Sequence, residues 1–116
     1  QDEESKRLTF AQAATGASGV ETLLPLALEL FHNKSVNLNK LIASITSNPS
    51  KILKINKGSL DKGNDADLCI FNINKPWVVD KKNLKSKSKN TPIEKRKLQG
   101  KVSKTFVKGE LLYDEI

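Results

Sequence analysis

Methionine is absent from these 116 residues, and cysteine, histidine, tryptophan and tyrosine occur once each. Each scarcity closes a class of function. A lone Cys69 forms no internal disulfide. Inside the apolar run Leu68-Cys69-Ile70-Phe71 it reads as a buried, reduced thiol of a cytoplasmic protein. His32 cannot by itself supply the three protein ligands of a catalytic zinc, and a two-metal site needs more. A Ser–His–Asp arrangement, a CxxC pair and a glycine-rich phosphate loop are all missing, so the chain does not read as a self-contained hydrolase. No apolar run approaches the roughly 20 residues of a membrane span, and the polar opening Gln1 to Arg7 is unlike a signal peptide. With no methionine and Gln1 in first place, the expectation is processing or truncation at the N-terminus.

Arginine is also scarce. The net charge of +7 comes almost wholly from lysine, with Arg7 and Arg96 beside it. Lysines thicken between Lys81 and Lys104, and one reading of that stretch is an electrostatic footprint for nucleic acid, which demands affinity that falls steeply with salt. Nucleic-acid surfaces usually add arginine forks and stacking aromatics. This stretch holds one arginine and no aromatic between Trp77 and Phe106, so a solvated lysine surface is the preferred reading.

What is present divides near Gly58, with helical spacing before it and strand spacing after it. Residues 1–18 lack regular apolar spacing and read as loop. An apolar helix follows to Phe31. Ser18-Gly19-Val20-Glu21 spells a capping box, but a start at Thr22 keeps Pro25 in the first turn, where its missing donor costs little. Leu24, Leu28 and Phe31 line one face and Leu23, Leu26 and Leu30 another, so this helix should pack on two neighbours. Asn37 is placed to cap a second helix carrying Leu38, Leu41, Ile42 and Ile45. Asn48-Pro49 predicts a third, capped by Asn48 and ended by Gly58. Strands are expected over 66–72 and 77–79, then a polar loop over 81–100. A hairpin of Val102 to Val107 with Leu111 to Tyr113 should turn on Lys108-Gly109. So few strands leave an open edge and an uncovered apolar face, which partner strands must close.

Candidate chemistry is thin. His32 sits at the end of the first helix, a place favourable to a protonated ring through the helix dipole, and a ligand role is the weaker alternative. Asp61, Asp65 and Asp67 surround the Gly63 turn and fit turn chemistry rather than acid–base work. Asp2, Glu3 and Glu4 precede a loop that leads into a helix. Ser86-Lys87-Ser88-Lys89-Asn90-Thr91-Pro92 lacks the glycines of a phosphate site and reads as a loop pinned against neighbouring structure.

Five segments, in order, carry a resemblance. They are Gly19-Val20-Glu21-Thr22-Leu23-Leu24-Pro25-Leu26, Asn48-Pro49-Ser50-Lys51-Ile52-Leu53, the strand entry from Gly58 to Phe71, Ser86 to Pro92, and the final hairpin. The chain resembles the dihydroorotases of the amidohydrolase superfamily, above all their long bacterial class. G-x-E-T-x-L-P and S-K-S-x-N-T-P are the more specific segments, while the strand entry and hairpin are shared with allantoinases and hydantoinases.

The fold class implied is α/β: the end of a (β/α)8 barrel plus part of an appended β-sandwich. Residues 1–57 would be the loop after strand eight, the last barrel helix and connecting helices, and residues 58–116 the C-terminal part of the composite sandwich. The activity implied is the zinc-dependent interconversion of N-carbamoyl-aspartate and dihydroorotate in pyrimidine biosynthesis. In it two zinc ions share the hydroxide that attacks the ring carbonyl, and a barrel aspartate handles the proton. That aspartate opens an Asp-His-x-Pro motif just before the position of Gln1, and the zinc ligands lie farther upstream. The resemblance thus assigns no catalytic or metal-binding residue to this chain, which alone should be inactive. Gln1 falls where many members place a substrate-contacting histidine, a departure from the pattern. Thr15-Gly16 falls where the loop backbone approaches the substrate ring, with threonine in place of the usual proline or phenylalanine. The resemblance further implies a homo-oligomer, and some branches are inactive partners of aspartate transcarbamoylase.

Overall fold

Apolar residues spaced three to four apart give way to alternating ones after Gly58, and the backbone changes from helix to strand with them. A computed structural model describes residues 4–115. Helix α1 (Leu23–His32) is entered through a 3-10 turn at Val20–Thr22, with Thr22 at the N-cap and Pro25 inside the first turn, close to the expected start. Pro25 and Leu28 are buried, whereas Leu23 and Leu30 are about half exposed and Leu26 is partly buried, so the second apolar stripe is incompletely covered among the described residues. Helix α2 (Leu38–Ile45) is capped as expected, the Asn37 side chain accepting the Lys40 N–H at 2.9 Å.

Helix α3 (Ser47–Leu53) departs from expectation at both ends. Thr46, not Asn48, is its N-cap residue, and the Thr46 hydroxyl points back to the Ile42 carbonyl at 2.7 Å. Only Thr46 separates α2 from α3, which leaves Asn48 and Pro49 already inside the first turn. Lys54, in the left-handed region at φ 54°, ends the helix. Gly58 has another role. A Cβ there would come 2.9 Å from the Thr46 carbonyl carbon and 3.0 Å from Ser50 Oγ, so glycine lets the chain lie against the junction between the two helices.

The three strands form one antiparallel sheet in the order β1-β2-β3, comprising β1 (Leu68–Val78), β2 (Lys97–Val107) and β3 (Glu110–Asp114). The two strands expected over 66–72 and 77–79 are a single strand, and residues 97–100, expected in the loop, belong to β2. The register jumps between Asn72↔Lys101 and Pro76↔Gln99, so β1 carries a bulge there. Pro76 is tolerated because β1 is an edge strand and the bulge removes the need for its donor. Distant side chains serve the bulge's carbonyls: His32 Nε2–H donates to Ile73 at 3.0 Å and Gln99 Nε2 to Asn74 at 3.2 Å.

The hairpin between β2 and β3 turns on Lys108 and Gly109 as expected, both at positive φ. Its lysine amide donates to Asp67 Oδ1 at 2.8 Å and its glycine amide to the Ala66 carbonyl at 3.0 Å.

The core is small: Leu28, Leu41, Val79, Leu84 and Leu98 are its buried apolar side chains. It is centred where α1 crosses β2. Ile52, Leu60, Ile70 and Leu112 remain at least half exposed. The radius of gyration is 16.3 Å, against roughly 13 Å for a compact domain of this length. Cys69 is exposed, contrary to the buried thiol that its apolar neighbours suggest, because this stretch of β1 has little packed over it. The partial burial it does have still pushes the thiol pKa up, opposed by a hydrogen bond with Thr105.

Candidate functional site

Two loops far apart in sequence meet in front of α1. The loop over 13–18 leads into the 3-10 turn, and the loop over 80–96 returns from β1 to lie beside it. Glu21 Oε1 accepts the Ser86 N–H at 2.9 Å. The Ser18 N–H donates to the Asn90 carbonyl at 2.7 Å, and the Ser18 hydroxyl to the Ser88 carbonyl at 2.8 Å. The Asn90 side-chain amide reaches the Gly16 carbonyl at 3.3 Å. From the other side the Lys6 ammonium donates to the Gly16 carbonyl at 2.5 Å and also to the Ala14 carbonyl. The G-x-E-T-x-L-P and S-K-S-x-N-T-P segments are therefore halves of one clamp, and the second is pinned against structure as expected.

What the clamp holds is a short exposed backbone. Thr15 and Gly16 are both exposed, and Gly16 adopts φ +86°, a conformation that favours glycine. A Cβ at Gly16 would meet nothing within 4 Å, so the conformation rather than the space calls for glycine there. Gln1 lies outside the described residues, as do Asp2 and Glu3 of the acidic cluster. Lys6 and Asn90, the two donors to the Gly16 carbonyl, carry no motif that would have linked either of them to Gly16 in the sequence.

Among the described residues no three His, Cys, Asp or Glu side chains gather where they could hold a metal ion. His32 is committed elsewhere: a carbonyl only accepts, so its Nε2 carries the hydrogen given to Ile73, and its ring leans on Phe31. A groove of about 370 Å³ runs beside the sheet, lined in part by Glu21, Trp77, Lys101, Thr105 and Tyr113. Neither Thr15 nor Gly16 lines it, so it is separate from the clamped loop. No helix among the described residues is long and apolar enough to cross a membrane.

Several charges are paired. Within the lysine-rich stretch, Lys89 donates to the Leu84 carbonyl, Lys101 pairs with Glu115 at 2.6 Å and Lys104 with Asp114. Glu115 also receives Lys75 at 2.8 Å, and hydrogen bonds from Lys101 and then Lys75 lower its pKa. At the Gly63 turn, Lys57 bridges Asp65 at 2.7 Å and Asp67 at 2.6 Å, which raises the lysine pKa. The same lysine, followed by the Lys108 N–H, holds the Asp67 carboxyl below its ordinary value.

A carboxyl depressed in the folded chain contributes stability above its unfolded pKa and loses it as pH falls through the folded one. Asp67→Asn should therefore lower the unfolding temperature slightly near neutral pH. The gap from wild type should begin to narrow as pH falls through the ordinary aspartate range and close once it has passed the lowered folded pKa. Thermal unfolding across that range checks this, and a gap independent of pH would refute it.

Residues 8–112 match the profile of the Amidohydrolase family. The chain is 42% identical over 112 residues to the dihydroorotase of Ehrlichia canis, covering 97% of this chain and 25% of that protein. It is 44% identical over 110 residues to the dihydroorotase of Syntrophus aciditrophicus, covering 95% and 26%. The chain spans about a quarter of the length of these curated relatives. Among solved structures, the L-hydantoinase of Arthrobacter aurescens superposes with a TM-score of 0.82 at 31% identity, over 90% of this chain and 24% of that one. A D-hydantoinase superposes with a TM-score of 0.87 at 21% identity, over 97% and 25%, a likeness of fold.

Proposed function

This chain belongs to the amidohydrolase family, and on that premise we propose that it is the C-terminal segment of a dihydroorotase, an enzyme that opens and closes a cyclic amide. The observation that carries this reading is the clamp. The two segments most specific to the dihydroorotase resemblance join through Glu21 and Ser86, and through Ser18 and Asn90, at the loop assigned to the substrate. In this reading residues 1–57 close the barrel and residues 58–116 complete the sandwich. The uncovered faces of α1 and of the sheet would then pack on the remainder of the protein.

The described residues do not fit a zinc site. We place the zinc ligands upstream and derive no step through the metal. What this chain supplies is orientation: the Thr15–Gly16 backbone, and Gln1 before it, would contact dihydroorotate or carbamoyl-aspartate. We further propose a cytoplasmic homo-oligomer. The ion pairs of Lys101 with Glu115 and of Lys104 with Asp114 favour a solvated surface over a nucleic-acid site. The unusual Gln1 motivates one second reading, a non-catalytic dihydroorotase-like subunit that partners aspartate transcarbamoylase.

The whole protein that carries this chain should turn over dihydroorotate with zinc bound, at higher kcat/KM than hydantoin. Paired assays with zinc analysis test it. Preference for hydantoin would overturn the substrate assignment, and a folded, inactive protein that co-purifies with the transcarbamoylase would support the second reading.

A further inference from the structure

We propose that Asn90 is a positioning residue that sets the direction of the substrate-loop amides; the inference rests on the functional reading above. Asn90 grips the loop at two points on either side of Ala17. Its side-chain amide donates to the Gly16 carbonyl at 3.3 Å, and its own carbonyl accepts the Ser18 N–H at 2.7 Å. With Lys6 at 2.5 Å as the second donor, both lone pairs of the Gly16 carbonyl have partners within the chain. A trans peptide points its carbonyl and its N–H in opposite directions. Fixing the Gly16 carbonyl between Lys6 and Asn90 therefore turns the Ala17 N–H away from both.

The amides of Thr15, Gly16 and Ala17 have no acceptor among the described residues, and all three residues are exposed. They are free to meet a ring carbonyl or carboxylate. Asn90 is itself held in place, because Glu21 accepts the Ser86 N–H four residues before it and Lys89 is tied to the Leu84 carbonyl. The site calls for asparagine rather than aspartate. A carboxylate of the same shape would bring an acceptor against the Gly16 carbonyl, where a donor now sits.

The test is the whole protein with Asn90→Asp, Asn90→Ala and, as a control, Lys82→Ala, an exposed residue of the same loop outside the clamp segment. Asn90→Asp and Asn90→Ala should raise KM for dihydroorotate by about tenfold, the size of one lost hydrogen bond to a bound ligand. Their kcat and zinc content should stay near wild type, because a uniform binding contact alters KM alone. Lys82→Ala should match wild type. Hydrogen exchange should quicken at residues 13–18 in both Asn90 variants and nowhere else, a readout independent of turnover. A wild-type KM, or unchanged exchange in that loop, overturns the positioning role while leaving the dihydroorotase reading intact. Absence of dihydroorotate turnover in the zinc-loaded wild type overturns the functional reading, and this inference with it.

Discussion

Replacing Gly100 with alanine is expected to lower the melting temperature of the whole protein by about 5 °C or more and to cut its soluble yield. Three independent constraints meet at this residue. It is buried at φ +108°, where an L side chain is strained. A Cβ would overlap Leu28 Cδ1, the fully buried side chain by which α1 sits on β2. Its carbonyl accepts the Trp77 indole N–H at 2.9 Å, which ties β2 to the end of β1. Overpacking alone costs about 1–3 kcal/mol, and the strained backbone adds to that. With five buried apolar side chains, the core has little surplus to absorb it. Adding Leu28→Ala should recover only part of the loss, because it opens space without relieving φ. A single mutant that melts like wild type would show that α1 does not seat at Gly100.

Removing the Glu21 carboxylate should reduce kcat/KM for dihydroorotate by roughly 10- to 100-fold, the range expected for losing a hydrogen bond to a charged group that orders a loop. Glu21 accepts the Ser86 N–H at 2.9 Å and so fastens residues 86–92 before Ser88 and Asn90 reach Ser18 and Gly16. Glu21→Gln retains an acceptor oxygen and should recover most of the activity that Glu21→Ala loses. Steady-state kinetics of the two variants decides the point. Equal losses in both would mean that charge at Glu21, rather than the bond to Ser86, is what matters.

Local signals proved readable where a single residue type sets the backbone. Asn37 caps α2, Pro25 falls in the first turn of α1, and Lys108-Gly109 turns the hairpin. Signals failed where a distant residue decides. The bulge that fuses two expected strands into β1 depends on His32 and Gln99 to serve its carbonyls, and neither is near it in sequence. Thr46 displaces Asn48 as the cap because α2 abuts α3, and α3 ends at Lys54 in the left-handed region while Gly58 lies against the junction of the two helices. Cys69 reads as buried from its neighbours, yet the surface that would bury it is not among the described residues. The clamp was legible only as two separate motifs. That they meet, and that Lys6 and Asn90 share the Gly16 carbonyl, depends on a loop closure that no local spacing encodes.

The most direct test of the central claim, that this chain frames a substrate loop but carries none of the metal chemistry, is zinc analysis and dihydroorotate turnover of the purified 116-residue chain beside the whole protein. The expected result is stoichiometric zinc and turnover in the whole protein, and neither in the chain alone. Zinc-dependent turnover by the isolated chain would contradict it.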